Sequence, residues 1–228
     1  MKTFAEPKLF ESIDLFSDAD PHSAVFNMAM DEILLRRLEN RPLLRIYRWS
    51  RPSVSFGYFE KFAAVEAGHP GREPVRRWTG GGVVPHGGDL TYSLLVPTDS
   101  PFLRLRTADS YLAIHECIAH ALDRAGISVS MAGGDDQKIS RACFENATRH
   151  DILRAGRKIA GAAQRRTKFG LLHQGSIQNI ELPATFAQTL AAEFARSAVE
   201  RTIGTEAFEA ARLLAETKYA TEAWMRKY

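Results

Sequence analysis

Three stretches of this chain carry residues suited to work on an anionic or polarised group. Residues 76–96, RRWTGGGVVPHGGDLTYSLLV, put Arg76, Arg77 and Thr79 ahead of three successive glycines, Gly80, Gly81 and Gly82. His86 stands four residues on. Glycines allow positive φ and close approach of a backbone to a ligand. A run of exposed backbone N–H groups makes a nest for anions, and the two guanidiniums add charge beside it. The same composition also suits a hairpin rich in turn residues.

Residues 156–177, GRKIAGAAQRRTKFGLLHQGSI, place Lys158 just before Gly161, Ala162 and Ala163. A lysine beside small residues can point into a pocket, where its ammonium offers three donors to a carbonyl or carboxylate. A surface lysine at a hairpin end is the competing reading. His173, Gln174 and Gly175 add polar groups on a following strand. The third candidate is Cys143, with Arg141, Arg149 and Lys158 as the nearby cations in sequence. A positive surrounding raises the thiolate fraction, and a thiolate can accept an acyl group as a thioester. The alternative is a small residue that anchors a loop. His86 and His173 lack metal-ligand spacing and there is no Cys–Xaa–Xaa–Cys pair, so no metal is expected.

These groups need a scaffold, and hydrophobic period supplies one. Residues 8–16, 43–49, 53–59, 90–96 and 171–180 read as strands. Gly57 interrupts one of them, as at a bulge or where something approaches the backbone. Residues 27–38 read as an amphipathic helix with Asp31, Glu32, Arg36 and Arg37 off its apolar face. Residues 108–125 form the clearest helix, ended by Gly126. Residues 68–74 and 129–142 read as loops, and residues 151–153 and 157–160 as a hairpin about Ala155-Gly156. Residues 186–199 and 205–217 read as helices. Without strict βαβ alternation this points to an α+β fold around a largely antiparallel sheet.

Composition narrows the function classes. A formal net charge of +3 is too mild to argue for nucleic acid. No apolar run approaches a membrane span. The first residues carry Glu6, Glu11 and Asp14 where a signal peptide needs an apolar core. A cytoplasmic chain with two thiols, Cys117 and Cys143, is expected.

Taken together, RRWTGGGVVPHGGDLTYS, GRKIAGAAQRR and LLHQGSI resemble the catalytic domain shared by lipoate–protein ligases, octanoyltransferases and biotin–protein ligases. FNMAMDEILL, the pair RIYRW and SFGYF, and LLAETKYATEAW are similar to its lipoate branch. The resemblance implies a class II synthetase-like α+β fold, with one large and one small sheet flanked by helices around an acyl-binding cleft. It implies one catalytic domain over 1–228 without an accessory C-terminal domain. Arg76, Arg77, Thr79 and Gly80 to Gly82, with His86, would wrap the carboxylate end of the acyl group. Lys158 would bind the acyl carbonyl, with Gly161, Ala163, His173 and Gly175 beside it. One octanoyltransferase subgroup is similar around ACF, AQRR and LHQGSI, which makes Cys143 the nucleophile. Gly82 and Gly87-Gly88-Asp89 instead resemble the ligase pattern. The transferase reading is preferred: octanoyl passes from acyl carrier protein through Cys143 to a lysine of lipoyl domains, those of 2-oxoacid dehydrogenases and the glycine cleavage H protein. It needs no cofactor. The alternative is lipoate ligation with ATP and Mg; biotin ligation and a non-catalytic acyl-binding protein follow behind.

Overall fold

The computed structural model describes residues 8–133 and 147–228. Eight strands form a large mixed sheet in the order β11-β1-β2-β6-β10-β9-β8-β7. They are β1 (Phe10–Ser17), β2 (Leu43–Tyr47), β6 (Leu90–Val96), β7 (Ser130–Met131), β8 (Ile152–Arg154), β9 (Arg157–Thr167), β10 (Gly170–Ile177) and β11 (Ala195–Glu200). β1 pairs parallel to both β2 and β11, and the remaining ladders of this sheet are antiparallel. A small sheet, β4-β3-β5, is built from β3 (Ser53–Phe56), β4 (Glu73–Arg76) and β5 (Val83–His86). This is the α+β plan with one large and one small sheet.

Two apolar layers cover the large sheet. On one face α3 (Thr107–Arg124) and α4 (Phe186–Phe194) bury Ile114, Ile118, Leu122, Leu190 and Phe194 against Leu44, Leu94, Val96 and Leu171. The spacing of Ile114, Ile118, Ala121 and Leu122 is one helical stripe, and Gly126 at φ +78° follows its end. On the other face α1 (Ala24–Arg36) and α5 (Thr205–Leu214) pack Met30, Leu34 and Ala211 against Leu43, Leu95 and Leu172. The hairpin at Ala155-Gly156 turns with both φ positive, 49° and 75°, as a two-residue loop requires.

Four expectations from the sequence need correction. Residues 186–199 are not one helix: α4 ends at Phe194 and the chain continues as β11, where Ala195 and Ser197 to Glu200 gain ladder partners on β1. Residues 62–68 form a short helix, α2 (Phe62–Gly68), and β4 begins within the expected loop 68–74. In the expected loop 129–142, Ser130 and Met131 pair with β8 as an edge strand; residues 134–142 lie outside the described residues. Finally, Asp31 and Glu32 of α1 are buried, not solvated. Each is matched. Arg45 donates to Asp31 at 2.8 Å, while Ser93, Tyr47 and Gln174 also donate to it. Glu32 accepts from Lys218, Tyr219 and Arg36. Buried carboxylates persist only with such partners.

Candidate active site

Between the two sheets lies a narrow cleft, lined by residues of both. One row of paired residues forms its floor: Gly161 on β9 faces Ser176 on β10, Ser176 faces Thr91 on β6, and Thr91 faces Tyr47 on β2. All four line the cleft. Three strand spacings make that row about 14 Å long. Met28 of α1 and Trp49 close the side and far end, and Gly81 comes in from the small sheet.

Lys158 stands at the near end. Its side chain is 3% exposed, and its ammonium lies 2.7 Å from Asp151 Oδ2. Strict alternation along β9 would turn Lys158 away from Gly161. A register shift opposite Ile152 and Leu153 prevents this. Such a bulge inserts one residue and re-aims its neighbours. Ile159 and Ala160 both join the core behind the sheet, and Lys158 shares the cleft with Gly161, Ala162 and Ala163. A Cβ on Gly161 would sit 2.5 Å from Lys158 Cε and 2.7 Å from its Nζ. The glycine is the space that the ammonium occupies.

Asp151 went unnoticed in the sequence, where it reads as a strand residue. Tyr111 donates to it at 2.6 Å, and the Thr148 amide and hydroxyl at 2.7 and 2.9 Å. Behind Tyr111 lie His115 at 4.0 Å between ring centroids and His173 at 5.7 Å. His173 is thus not in the cleft. It sits on the opposite face of β10 from Gln174, bonded to Tyr92 at 3.1 Å. Burial holds both imidazoles neutral: His115 falls to about 4 despite Asp151, and His173 drops well below its ordinary value. Gly175 lines the cleft through its backbone. On its other side the Tyr92 ring fills the place of a side chain, 2.2 Å from where a Cβ would stand.

The two arginines part company, as neighbours on an extended chain do. Arg77 lines the cleft and donates to the Gly80 and Gly82 carbonyls at 2.9 and 2.8 Å and to Ser55 Oγ at 2.8 Å. It clamps the glycine turn, in which Gly81 takes φ +83°. Arg76 points the other way. Its guanidinium donates to the carbonyls of Tyr58, Glu60, Trp224 and Met225, pinning residues 224–225 to the small sheet. The expected contact of Arg76 with the acyl head is therefore replaced by a structural one. Gly80 and Gly82 offer their carbonyls to Arg77 and do not line the cleft, and Thr79 is buried against Gln174 at 2.7 Å. Gly57 lets the turn approach: a Cβ there would meet the Gly81 carbonyl oxygen at 1.8 Å.

His86 lines the far part of the cleft, stacked on Trp49 at 4.0 Å. Asp89 accepts from His86 Nδ1, Thr91 and Ser176 at 2.7, 2.7 and 2.6 Å. Burial alone would raise the Asp89 carboxyl, but these donors hold it at about 2. The ionised carboxylate fixes the proton on Nδ1, so Nε2 accepts from the Ser55 hydroxyl at 2.7 Å. Burial lowers His86 below its ordinary value against the pull of Asp89. A periodicity pattern has no means of signalling Met28, Tyr47, Trp49, Ser55 or Thr91 as lining. Cys143 lies outside the described residues. The described residues hold no group of three His, Cys, Asp or Glu placed to share a metal ion.

A small sheet closed over a large one, with a buried lysine and a clamped glycine turn lining one cleft between them, is the fold of the solved lipoate protein ligases. Residues 23–204 match the lipoyl protein ligase A/B catalytic domain, and the chain belongs to that family. It is 38% identical over 170 residues to an octanoyltransferase LipM of Moorella thermoacetica, covering 70% of this chain and 61% of that one. The LipM of Carboxydothermus hydrogenoformans is 38% identical over 170 residues, 71% of this chain and 63% of its own. The matched part is thus under two thirds of these relatives' length. Among solved structures, the bipartite lipoate protein ligase of Thermoplasma acidophilum superposes with a TM-score of 0.72 at 20% identity, covering 96% of both chains. A lipoate-protein ligase A bound with ATP gives 0.70 at 22% identity, covering 95% of this chain and 98% of that one. Both likenesses are of fold.

Proposed function

We propose that this chain is an octanoyltransferase of protein lipoylation. The observation that carries the reading is the buried Lys158 ammonium at the end of a cleft whose floor is about 14 Å long and which the Gly81 turn also lines. An extended eight-carbon acyl chain measures about 9 Å, at roughly 1.3 Å of advance per C–C bond. The floor is long enough to take it, with the carbonyl placed at Lys158 and the methyl end toward Trp49. The LipM names of the relatives support octanoyl as the group moved.

In the first step the Cys143 thiolate attacks the thioester carbonyl of an octanoyl carrier protein. A new C–S bond forms, the carrier's C–S bond breaks, and the carrier thiolate leaves and takes a proton. In the second, the deprotonated ε-amine of a lipoyl-domain lysine attacks the Cys143 thioester. The amide forms, the amine proton is lost and the Cys143 thiolate departs. Both steps put negative charge on the carbonyl oxygen, which a fixed ammonium in an apolar cleft stabilises far better than water does. Asp151 fixes that ammonium, and Tyr111 and Thr148 fix Asp151. The acceptors would be lipoyl domains of 2-oxoacid dehydrogenases and the glycine cleavage H protein, in the cytoplasm.

Intact-mass analysis after mixing with octanoyl carrier protein tests the scheme. An octanoyl adduct on wild type that is absent from Cys143→Ala is the expected result. Full lipoyl-domain modification by Cys143→Ala would overturn it. Pyrophosphate release from lipoate and ATP would assign ATP-dependent ligation instead.

A further inference from the structure

The rim of the cleft at Gly81 and Ala163 continues into a face that the chemistry inside does not use. Arg165 lies two residues beyond Ala163 on β9, hence on the same side of the strand, and donates to the Trp78 carbonyl at 2.9 Å. The Tyr58 amide donates to the Thr79 carbonyl at 2.9 Å. Both residues thereby border the segment that leads into the glycine turn. Next to Tyr58, at 5.0 Å between ring centroids, Phe59 is 72% exposed. Two cations interleave with these rings. Arg165 lies over Tyr58 at 4.9 Å and Trp78 at 5.2 Å, and Lys227 over Tyr58 at 4.8 Å and Trp224 at 5.4 Å. Nearby Lys218 and Arg226 are already matched by Glu32 and Glu222. Among the described residues Arg165 and Lys227 meet rings and a carbonyl, not carboxylates.

Aromatic rings give contact area at a protein interface, and unmatched cations around them steer a partner of opposite charge. The acyl acceptor arrives with a lysine, a cation that this face disfavours. The donor arrives with a neutral thioester and can carry carboxylates around it. We propose that Tyr58, Phe59, Arg165 and Lys227 dock the protein that donates the acyl group, an acidic carrier domain that passes its chain over the rim at Gly81 and Ala163. The proposal rests on the acyl-transfer reading above.

Lys227→Glu and Phe59→Ala change side chains that stand outside the cleft. With octanoyl carrier protein as donor, Lys227→Glu lowers kcat/KM about tenfold through KM, Phe59→Ala about fivefold, and added salt weakens the wild type. With octanoyl N-acetylcysteamine, a small thioester, all three proteins act alike. Fluorescence anisotropy of labelled, unacylated carrier gives a readout independent of turnover: binding weakens in Lys227→Glu. Carrier that binds wild type and Lys227→Glu equally overturns the docking face, as does a KM rise for the lipoyl domain in place of the carrier. Binding lost in Lys227→Glu, with no transfer from either donor by the wild type, upholds the docking face and overturns the transfer reading.

Discussion

Gly161→Ala tests the site with a single methyl group. The added Cβ falls 2.5 Å from Lys158 Cε, 2.7 Å from Nζ and 3.1 Å from Asp151 Oδ1. Carbon contacts settle at about 3.5–4.0 Å, so the ammonium must retreat by roughly 1 Å. What yields is the tip of a flexible side chain, so the melting temperature moves little. Catalysis is less tolerant. A misplacement of about 1 Å in a positioned group costs about 100-fold, which is about 2.7 kcal/mol of barrier. The loss should fall mainly on kcat, because the added methyl stands at the head of the cleft and leaves Met28, Tyr47 and Trp49, proposed to hold the tail, untouched. Single-turnover transfer of octanoyl to a lipoyl domain, with a thermal melt beside it, is the assay. Gly80→Ala is the control: it lies in the conspicuous glycine run, yet a Cβ there meets nothing within 4 Å, so its melt should match wild type. A Gly161→Ala enzyme within twofold of wild type would refute the placement of the ammonium.

Gly57→Ala behaves differently, because its Cβ would meet the Gly81 backbone at 1.8 Å, where no flexible tip can yield; overpacking of this kind costs about 3 kcal/mol, and a melting temperature near wild type would contradict the close approach. Trp49→Ala removes the far wall, so acyl chains longer than octanoyl should become competitive donors; an unchanged chain-length profile would show that the tail runs elsewhere. His86, His115 and His173 are all held below their ordinary value by burial, His115 to about 4. The folded protein thus refuses protons that the unfolded chain binds between about pH 6.5 and pH 4, and stability present above 6.5 is lost as the pH falls. His115 alone accounts for about 3 kcal/mol across that window. Urea unfolding at pH 7.5 and pH 5 should show the fall, His115→Phe should lessen it while His86 and His173 keep the rest, and equal stabilities at the two values would refute the neutral burial.

What the sequence conveyed depended on the physics involved. Helix α3 was legible because its core stripe has one period. So was the hairpin, since Ala155-Gly156 marks a turn by composition. Gly57 signalled a close approach, although its partner, the Gly81 carbonyl, lies 24 residues away in sequence. The start of β11 was missed because Ala195 to Val199 has helical composition; its ladder with β1 is a tertiary fact. Asp31 and Glu32 looked solvated because Arg45, Lys218 and Tyr219 are distant in sequence. At the site, Lys158 and Gly161 were visible as a lysine among small residues, but their shared side of β9 depends on a bulge that no pattern marks. Arg76 and Arg77 look equivalent as letters, and only alternation along the chain sends one to the cleft and the other to residues 224–225. Asp151 carries no local signal at all.

The central claim is that Lys158 donates to the acyl carbonyl. Isotope-edited infrared spectroscopy of octanoyl labelled with ¹³C at the carbonyl carbon, bound to the protein, reads that contact directly. Lys158→Met serves as the comparison, since Asp151 keeps its bonds from Tyr111 and Thr148 there. In wild type the carbonyl stretch should lie at lower frequency than in water, and in Lys158→Met it should return toward the value of an apolar solvent. One and the same frequency in both proteins, with the acyl group bound in both, would contradict the claim.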